Sequence, residues 1–155
     1  MPLSVEQKSG SGEQPRSPGR ILALDLGTRR VGVAVCDELR LTVRPLPALQ
    51  RTSWKRLLLA VTELCERFDA ETLVVGLPLR MDGTEGDAAL EARRIAGNLR
   101  LSLPLPVHLQ DERLTSLEAE ASLREAGYAG LEIKERVDSE SAAIILRDYL
   151  SRSTT

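Results

Sequence analysis

Asp25, the Asp111-Glu112 pair and Asp138 are acidic residues placed where acidity is costly. Asp25 ends an apolar run, Ile21-Leu-Ala-Leu-Asp25, and Asp111 and Glu112 follow the strand-like segment Pro106 to Gln110. Asp138 opens a helical stretch rich in alanine and isoleucine. A carboxylate at the end of a buried strand needs compensation. A divalent cation is one such partner, because hard cations take carboxylate oxygens together with water and substrate phosphate. Carboxylates brought from separate elements to one place can hold the ions that activate water and stabilise the leaving oxygen of a phosphodiester. Plainer roles are open to each residue. Asp25 could accept backbone donors in the turn before Gly27, one of Asp111 and Glu112 could pair with Arg113, and Asp138 could cap its helix.

The elements that must position these groups read as follows. Ile21 to Asp25 and Val31 to Cys36 form a hairpin about the turn Gly27-Thr-Arg-Arg30. Leu41 to Leu49 reads as a third strand, kept to an edge by Pro45 and Pro47. Trp54, Leu57, Leu58, Val61, Leu64, Cys65 and Phe68 fall at helical spacing within Ser53 to Phe68. Thr72 to Gly76 is a short buried strand, Leu77 to Gly86 a loop rich in proline and glycine, and Asp87 to about Leu101 a helix. Pro106 to Gln110 is the last strand. Thr115-Ser-Leu-Glu118 has the form of a capping box, opening a helix to Ala126 that Gly127 and Gly130 close. A loop with Ile133, Lys134 and Arg136 leads to Asp138 and a final helix, about Ser139 to Leu150. Three antiparallel strands followed by alternating strands and helices predict an α/β fold: a mixed sheet with helices on both faces. Ligands of such sheets sit at the carboxyl ends of the parallel strands.

Composition narrows the classes. The chain has 155 residues and reads as one domain, 20–152, behind a polar tail, 1–19, expected to be disordered. The longest apolar runs are strand-sized, which argues against a membrane span. The tail lacks the apolar region of a secretory signal, so the expected compartment is the cytoplasm. Cys36 and Cys65 are far apart with no paired-cysteine motif, and His108 is the single histidine, so disulfide, zinc and histidine-based chemistry are not expected. Net charge is −2, so nucleic acid is not gripped by bulk charge. Yet eighteen of the twenty-one basic residues are arginine, the residue suited to bidentate phosphate contacts.

Four blocks in order carry a resemblance to a known family. They are Ile21-Leu-Ala-Leu-Asp-Leu-Gly-Thr-Arg-Arg-Val-Gly-Val-Ala-Val35, Val74-Val-Gly-Leu-Pro-Leu-Arg-Met-Asp-Gly-Thr-Glu85-Gly, Asp111-Glu-Arg-Leu-Thr-Ser116 and Val137-Asp-Ser-Glu-Ser-Ala-Ala-Ile-Ile-Leu146. On these, the chain resembles the YqgF/RuvX family of Holliday-junction-resolvase-like proteins, also described as pre-16S rRNA nucleases. The resemblance implies an RNase H-like fold and a nuclease site dependent on Mg²⁺ or Mn²⁺. By position, Asp25, Glu112 (with Asp111 as its rival) and Asp138 match the catalytic acids, and Asp25, Glu112 and Asp138 the metal ligands. Arg113 matches the family's arginine. The other residues expected to contact nucleic acid are Arg29, Arg30, Lys134 and Arg136. Gly76, Gly83 and Gly86, with Thr84, are expected to line the mouth of the site.

The expected function is hydrolysis of phosphodiester bonds in RNA during 16S ribosomal RNA maturation, by a monomer or weak homodimer. A Holliday-junction resolvase acting on DNA is the alternative within the same chemistry. A non-catalytic RNA-binding or transcription-associated module is the alternative outside it. Asp-Leu-Gly-Thr28 also resembles a phosphate motif of actin-like ATPases, but the nucleotide there lies between two lobes and this length supplies one.

Overall fold

The computed structural model describes residues 18–113 and 115–153. Most of the proposed tail therefore lies outside the described residues. Five strands, β1 (Arg20–Leu26), β2 (Arg30–Cys36), β3 (Val43–Gln50), β4 (Ala70–Pro78) and β5 (Val107–Glu112), form one sheet in the order β3-β2-β1-β4-β5. β1 pairs antiparallel with β2 and β2 with β3, while β1–β4 and β4–β5 are parallel. This is the mixed sheet expected from the sequence, in RNase H-like order. α1 (Trp54–Arg67) and α2 (Asp87–Ser102) cover one face; α3 (Thr115–Glu125) and α4 (Leu131–Ser153) belong to the other.

Strand alternation divides the core. Leu22, Leu24, Leu73, Val75 and Val107 pack under α1 and α2, with Leu57, Val61, Ile95 and Leu99 from those helices. Ile21, Ala23, Ala34 and Val74 face α4 through Ala142, Ala143, Ile145 and Leu146. α1 has the apolar stripe read from its spacing, and the hydroxyl of Ser53 caps it by accepting from the Arg56 N–H at 3.2 Å. β3 is an edge strand, as its prolines predict. Pro45 pairs with Ala34, whereas Pro47 falls in a bulge, where the register shifts between Val31 and Val33.

The last helix departs from expectation. α4 begins at Leu131, so Ile133, Lys134 and Arg136 are helical, and Asp138 lies two turns inside rather than at an N-cap. The residues 131–136 are good helix formers but carry little apolar periodicity. Their helix is held by packing against α3 and the sheet. The first part of its buried face, Ser139, Ser141, Ala142 and Ala143, is small or polar, and the large apolar residues Ile145 and Leu146 come only after it.

Two glycines seat α4 against the sheet. A Cβ at Gly32 in β2 would overlap the backbone carbonyl of Asp138, and one at Gly76 in β4 would lie 2.5 Å from Ile145 Cδ1. β1 runs between them. Ser139 completes the seat: its buried hydroxyl accepts from the Val33 N–H at 3.1 Å.

Candidate active site

Asp25 stands on the α4 face of β1, directly opposite Gly32. Because α4 lies on that glycine, Asp138 is delivered beside Asp25. The two carboxylates interact, and the consequence is visible in acidity. Burial first, and the Asp138 charge second, push the Asp25 carboxyl up from 3.8 to about 6. The turn beyond Asp25 does not use its side chain. The Gly27 N–H donates to the Arg30 carbonyl at 2.9 Å, and the Gly27 carbonyl accepts from Arg51 at 2.8 Å. Arg51 also pairs with Glu91 of α2 at 2.5 Å, so the turn is tied across the top of the sheet.

Arg30 is committed to Asp138, at 3.0 Å from Nε to Oδ2, and donates to the Lys134 carbonyl at 3.3 Å. It is thus placed to orient Asp138. Arg29 and Lys134 are exposed, and Arg136 is exposed with its guanidinium 4.4 Å from the ring centre of Tyr128.

Alternation along β5 separates Asp111 from Glu112. Val107 and Leu109 pack on the α1–α2 side, and Asp111 continues that side, near enough to Arg93 of α2 to feel its charge. Glu112 shares the α4 face with Gln110 and is 8% exposed. Of the rival pair, then, Glu112 shares a face with Asp25 and Asp138, and Asp111 does not. Glu112 is nevertheless drawn to a different partner. Its carboxyl meets that of Asp148 on α4, and burial followed by this contact pushes it up from 4.5 to about 8. Gln110 donates to it at 3.4 Å. The face therefore carries two acid pairs, Asp25–Asp138 and Glu112–Asp148. Among the described residues, no group of three or more histidine, cysteine, aspartate and glutamate side chains is gathered to hold a metal ion.

The donor chemistry of the first pair fits a hard divalent cation. Two carboxylates crowded in a part-buried place destabilise their doubly ionised state, and Mg²⁺ is commonly held by one or two carboxylates with water and phosphate completing the shell. Glu112, whose carboxyl burial and the Asp148 contact push up to about 8, fits that role in its ionised form.

The remaining expected residues surround this face. Arg113 pairs with neither Asp111 nor Glu112 among the described residues; it donates to the Met81 carbonyl at 3.4 Å and lies over Gly83. Gly86 is covered by Arg80. Gly76 lies beneath Ile145, so it seats a helix rather than lining the mouth. A cavity of about 340 Å³ opens between Leu79, Asp111, Glu112, Arg113 and Arg152.

A family model described as "RuvX: Holliday junction resolvase" matches residues 19–152. The chain belongs to the RuvX family. A relative from Anaeromyxobacter dehalogenans (strain 2CP-1) is 44% identical over 133 residues, covering 86% of this chain and 97% of that protein. A relative from Koribacter versatilis is 43% identical over 134 residues, covering 86% and 88%. Both carry the description "Putative pre-16S rRNA nuclease". Among solved structures, Thermus thermophilus RuvC in complex with a Holliday junction substrate is 17% identical, covering 88% of this chain and 97% of that one, with a TM-score of 0.49.

Sequence reading of this RuvX-family chain missed Asp148, Arg51, Gly32 and Ser139 as parts of the site. Gly32 and Ser139 lie inside quoted blocks, so their positions were marked while their roles were not. Asp148 and Arg51 had no local signal, because each acts only through a partner distant in sequence. No helix among the described residues is long and apolar enough to cross a membrane.

Proposed function

We propose that this chain is a divalent-metal-dependent nuclease that hydrolyses phosphodiester bonds in RNA, in processing of the 5′ end of pre-16S rRNA in the cytoplasm. The observation that carries the reading is the placement of Asp138 near Asp25 at the carboxyl end of β1, where burial and then the Asp138 charge raise the Asp25 carboxyl to about 6. The RNA substrate comes from the descriptions of the relatives, which name pre-16S rRNA.

In this reading Asp25 and Asp138 hold the ion, and Glu112 joins them as a ligand from the end of β5. Bound Mg²⁺ or Mn²⁺ supplies the positive charge that activates water and stabilises the leaving oxygen. Arg30 keeps Asp138 aimed at Asp25 through its 3.0 Å ion pair. Arg51 fixes the turn that carries Arg29 and Arg30. Asp148 faces Glu112 across the end of β5, and a cation held there would offset the repulsion that burial and Asp148 place on the Glu112 carboxylate. Arg29, Arg113, Lys134 and Arg136 contact the substrate backbone. The chain acts as a monomer or weak homodimer.

The family description favours a second substrate, the DNA four-way junction. A cleavage assay on 5′-extended 16S rRNA and on a four-way DNA junction separates the two. Native protein with Mg²⁺ is expected to cut the RNA, and Asp25→Asn or chelated protein to cut neither. Junction cutting without RNA cutting would replace the substrate, and undiminished cutting by Asp25→Asn would end the catalytic assignment.

A further inference from the structure

The loop that joins β4 to α2 brings its own Arg80 beside Arg113, which follows β5. Leu79 to Gly86 is a stiff loop. The Leu79 N–H donates to the Glu112 carbonyl at 2.8 Å, Gly83 N–H to the Arg80 carbonyl at 2.8 Å and Arg80 N–H to the Thr84 carbonyl at 2.9 Å. The Asp82 carboxylate accepts from both the N–H and the hydroxyl of Thr84, and Glu85 is held by a bidentate Arg93, with both contacts at 2.7 Å. The acids of the loop are thereby occupied.

The Arg80 guanidinium lies against Gly86, and that of Arg113 reaches Gly83 with its Nη2 end. A Cβ at Gly83 would sit 2.6 Å from Arg113 Nη2, and one at Gly86 would sit 2.9 to 3.1 Å from Nε, Nη2 and Cζ of Arg80. Both arginines are exposed, and among the described residues neither forms an ion pair within 4 Å. Asp82 is the acid whose charge reaches Arg113. A planar fork of donors, supported from behind and open in front, suits a phosphate oxygen pair. The loop stands at the carboxyl ends of β4 and β5, beside Glu112.

We propose that Arg80 and Arg113 form a two-arginine clamp for neighbouring phosphates of the nucleic-acid strand entering this site, with Gly86 and Gly83 as the pads that orient them. The clamp rests on the nuclease reading for its substrate and adds Arg80 and Gly86 to the residues that bind it. Gly86 has φ −110°, which any residue adopts, so alanine there disturbs the arginine and not the backbone.

The test is binding of a fluorescent single-stranded RNA, taken from the 5′ extension of 16S rRNA, across a salt series. Asp25→Asn serves as the parent protein so that no cutting occurs. Arg80→Ala is expected to weaken binding and to lower the slope of log affinity against log salt by about 0.7, the loss of one phosphate contact on a single strand. Gly86→Ala is expected to do the same, and the double variant Arg80→Ala/Gly86→Ala no more, since both changes remove one contact. Arg80→Ala/Arg113→Ala should lose twice the slope, and Arg56→Ala, on exposed α1 surface, none. Binding with a slope indifferent to Arg80→Ala overturns the clamp while leaving cleavage by native protein to support the nuclease. A slope that falls as expected, with native protein and Mg²⁺ cutting no nucleic acid, keeps the clamp and overturns the nuclease. Absence of any RNA binding overturns both.

Discussion

The backbone carbonyl of Asp138 lies over Gly32, in the space a side chain would fill. Gly32 in turn pairs with Asp25 across β1 and β2. The distance between the two acids is therefore set by the lack of a Cβ on a third residue. Gly32→Ala must push α4 away from the sheet at that point. Overpacking of a close contact costs about 1–3 kcal/mol, and here backbone meets backbone, so the upper part of that range is expected. Urea unfolding should show the loss. Cleavage measured on folded protein at low temperature should fall further than stability alone explains, because Asp138 moves away from Asp25.

Asp25→Asn should make the protein more stable as it makes it inactive. The sign follows from the raised carboxyl. The unfolded Asp25 ionises near 3.8, whereas the folded one keeps its proton to about 6. The folded state thus binds more protons between these values, and stability falls as pH rises through that window. At pH 7.5 the native carboxylate costs up to ~3 kcal/mol that asparagine does not. Denaturant midpoints of the two proteins should differ at pH 7.5 and converge toward pH 4. A variant less stable than native protein at pH 7.5 would mean that the Asp25 charge is not under strain.

Divalent ion should relieve the same strain. Adding Mg²⁺ or Mn²⁺ at pH 7.5 is expected to raise the melting temperature of native protein, because a ligand that binds the folded state stabilises it. Asp25→Asn and Asp138→Asn should show a much smaller rise. Calorimetry with and without chelator makes this measurement without substrate. An equal rise in all three proteins would place the ion elsewhere.

The pairing of Glu112 with Asp148 can be read directly in metal-free protein. Carbon-detected NMR of the glutamate carboxyl groups should find one titrating near 8, and Asp148→Asn should bring it down. Removing the neighbouring negative charge makes ionisation of Glu112 easier, and the amide can donate to the ionised form. A Glu112 titration unmoved by that substitution would assign the shift to burial alone.

The local pattern was enough for most of the architecture. The continuous apolar runs Ile21 to Leu24 and Val31 to Cys36, the prolines of β3 and the apolar stripe of α1 are short-range signals, because a central strand is buried on both faces and a helix buries one face at fixed spacing. They gave the element order, the mixed sheet and the edge position of β3. The blocks around Asp25, Asp111-Glu112 and Asp138 pointed to the acids for the same reason: charge inside an apolar run is conspicuous. Tertiary structure decided the rest. The run from Leu131 to Arg136 becomes helix through packing on α3 and the sheet, which no local periodicity records. Asp111 and Glu112 are adjacent in sequence and both acidic, and only the pleat of β5 against α4 turns Glu112 toward Asp148 and Asp111 toward Arg93. Whether Glu112 stands alone or faces Asp148, and whether Asp138 caps a helix or presses on Gly32, depend on contacts between residues tens of positions apart. The residue types carry the chemistry, but the approach of α4 to the sheet determines which acids meet.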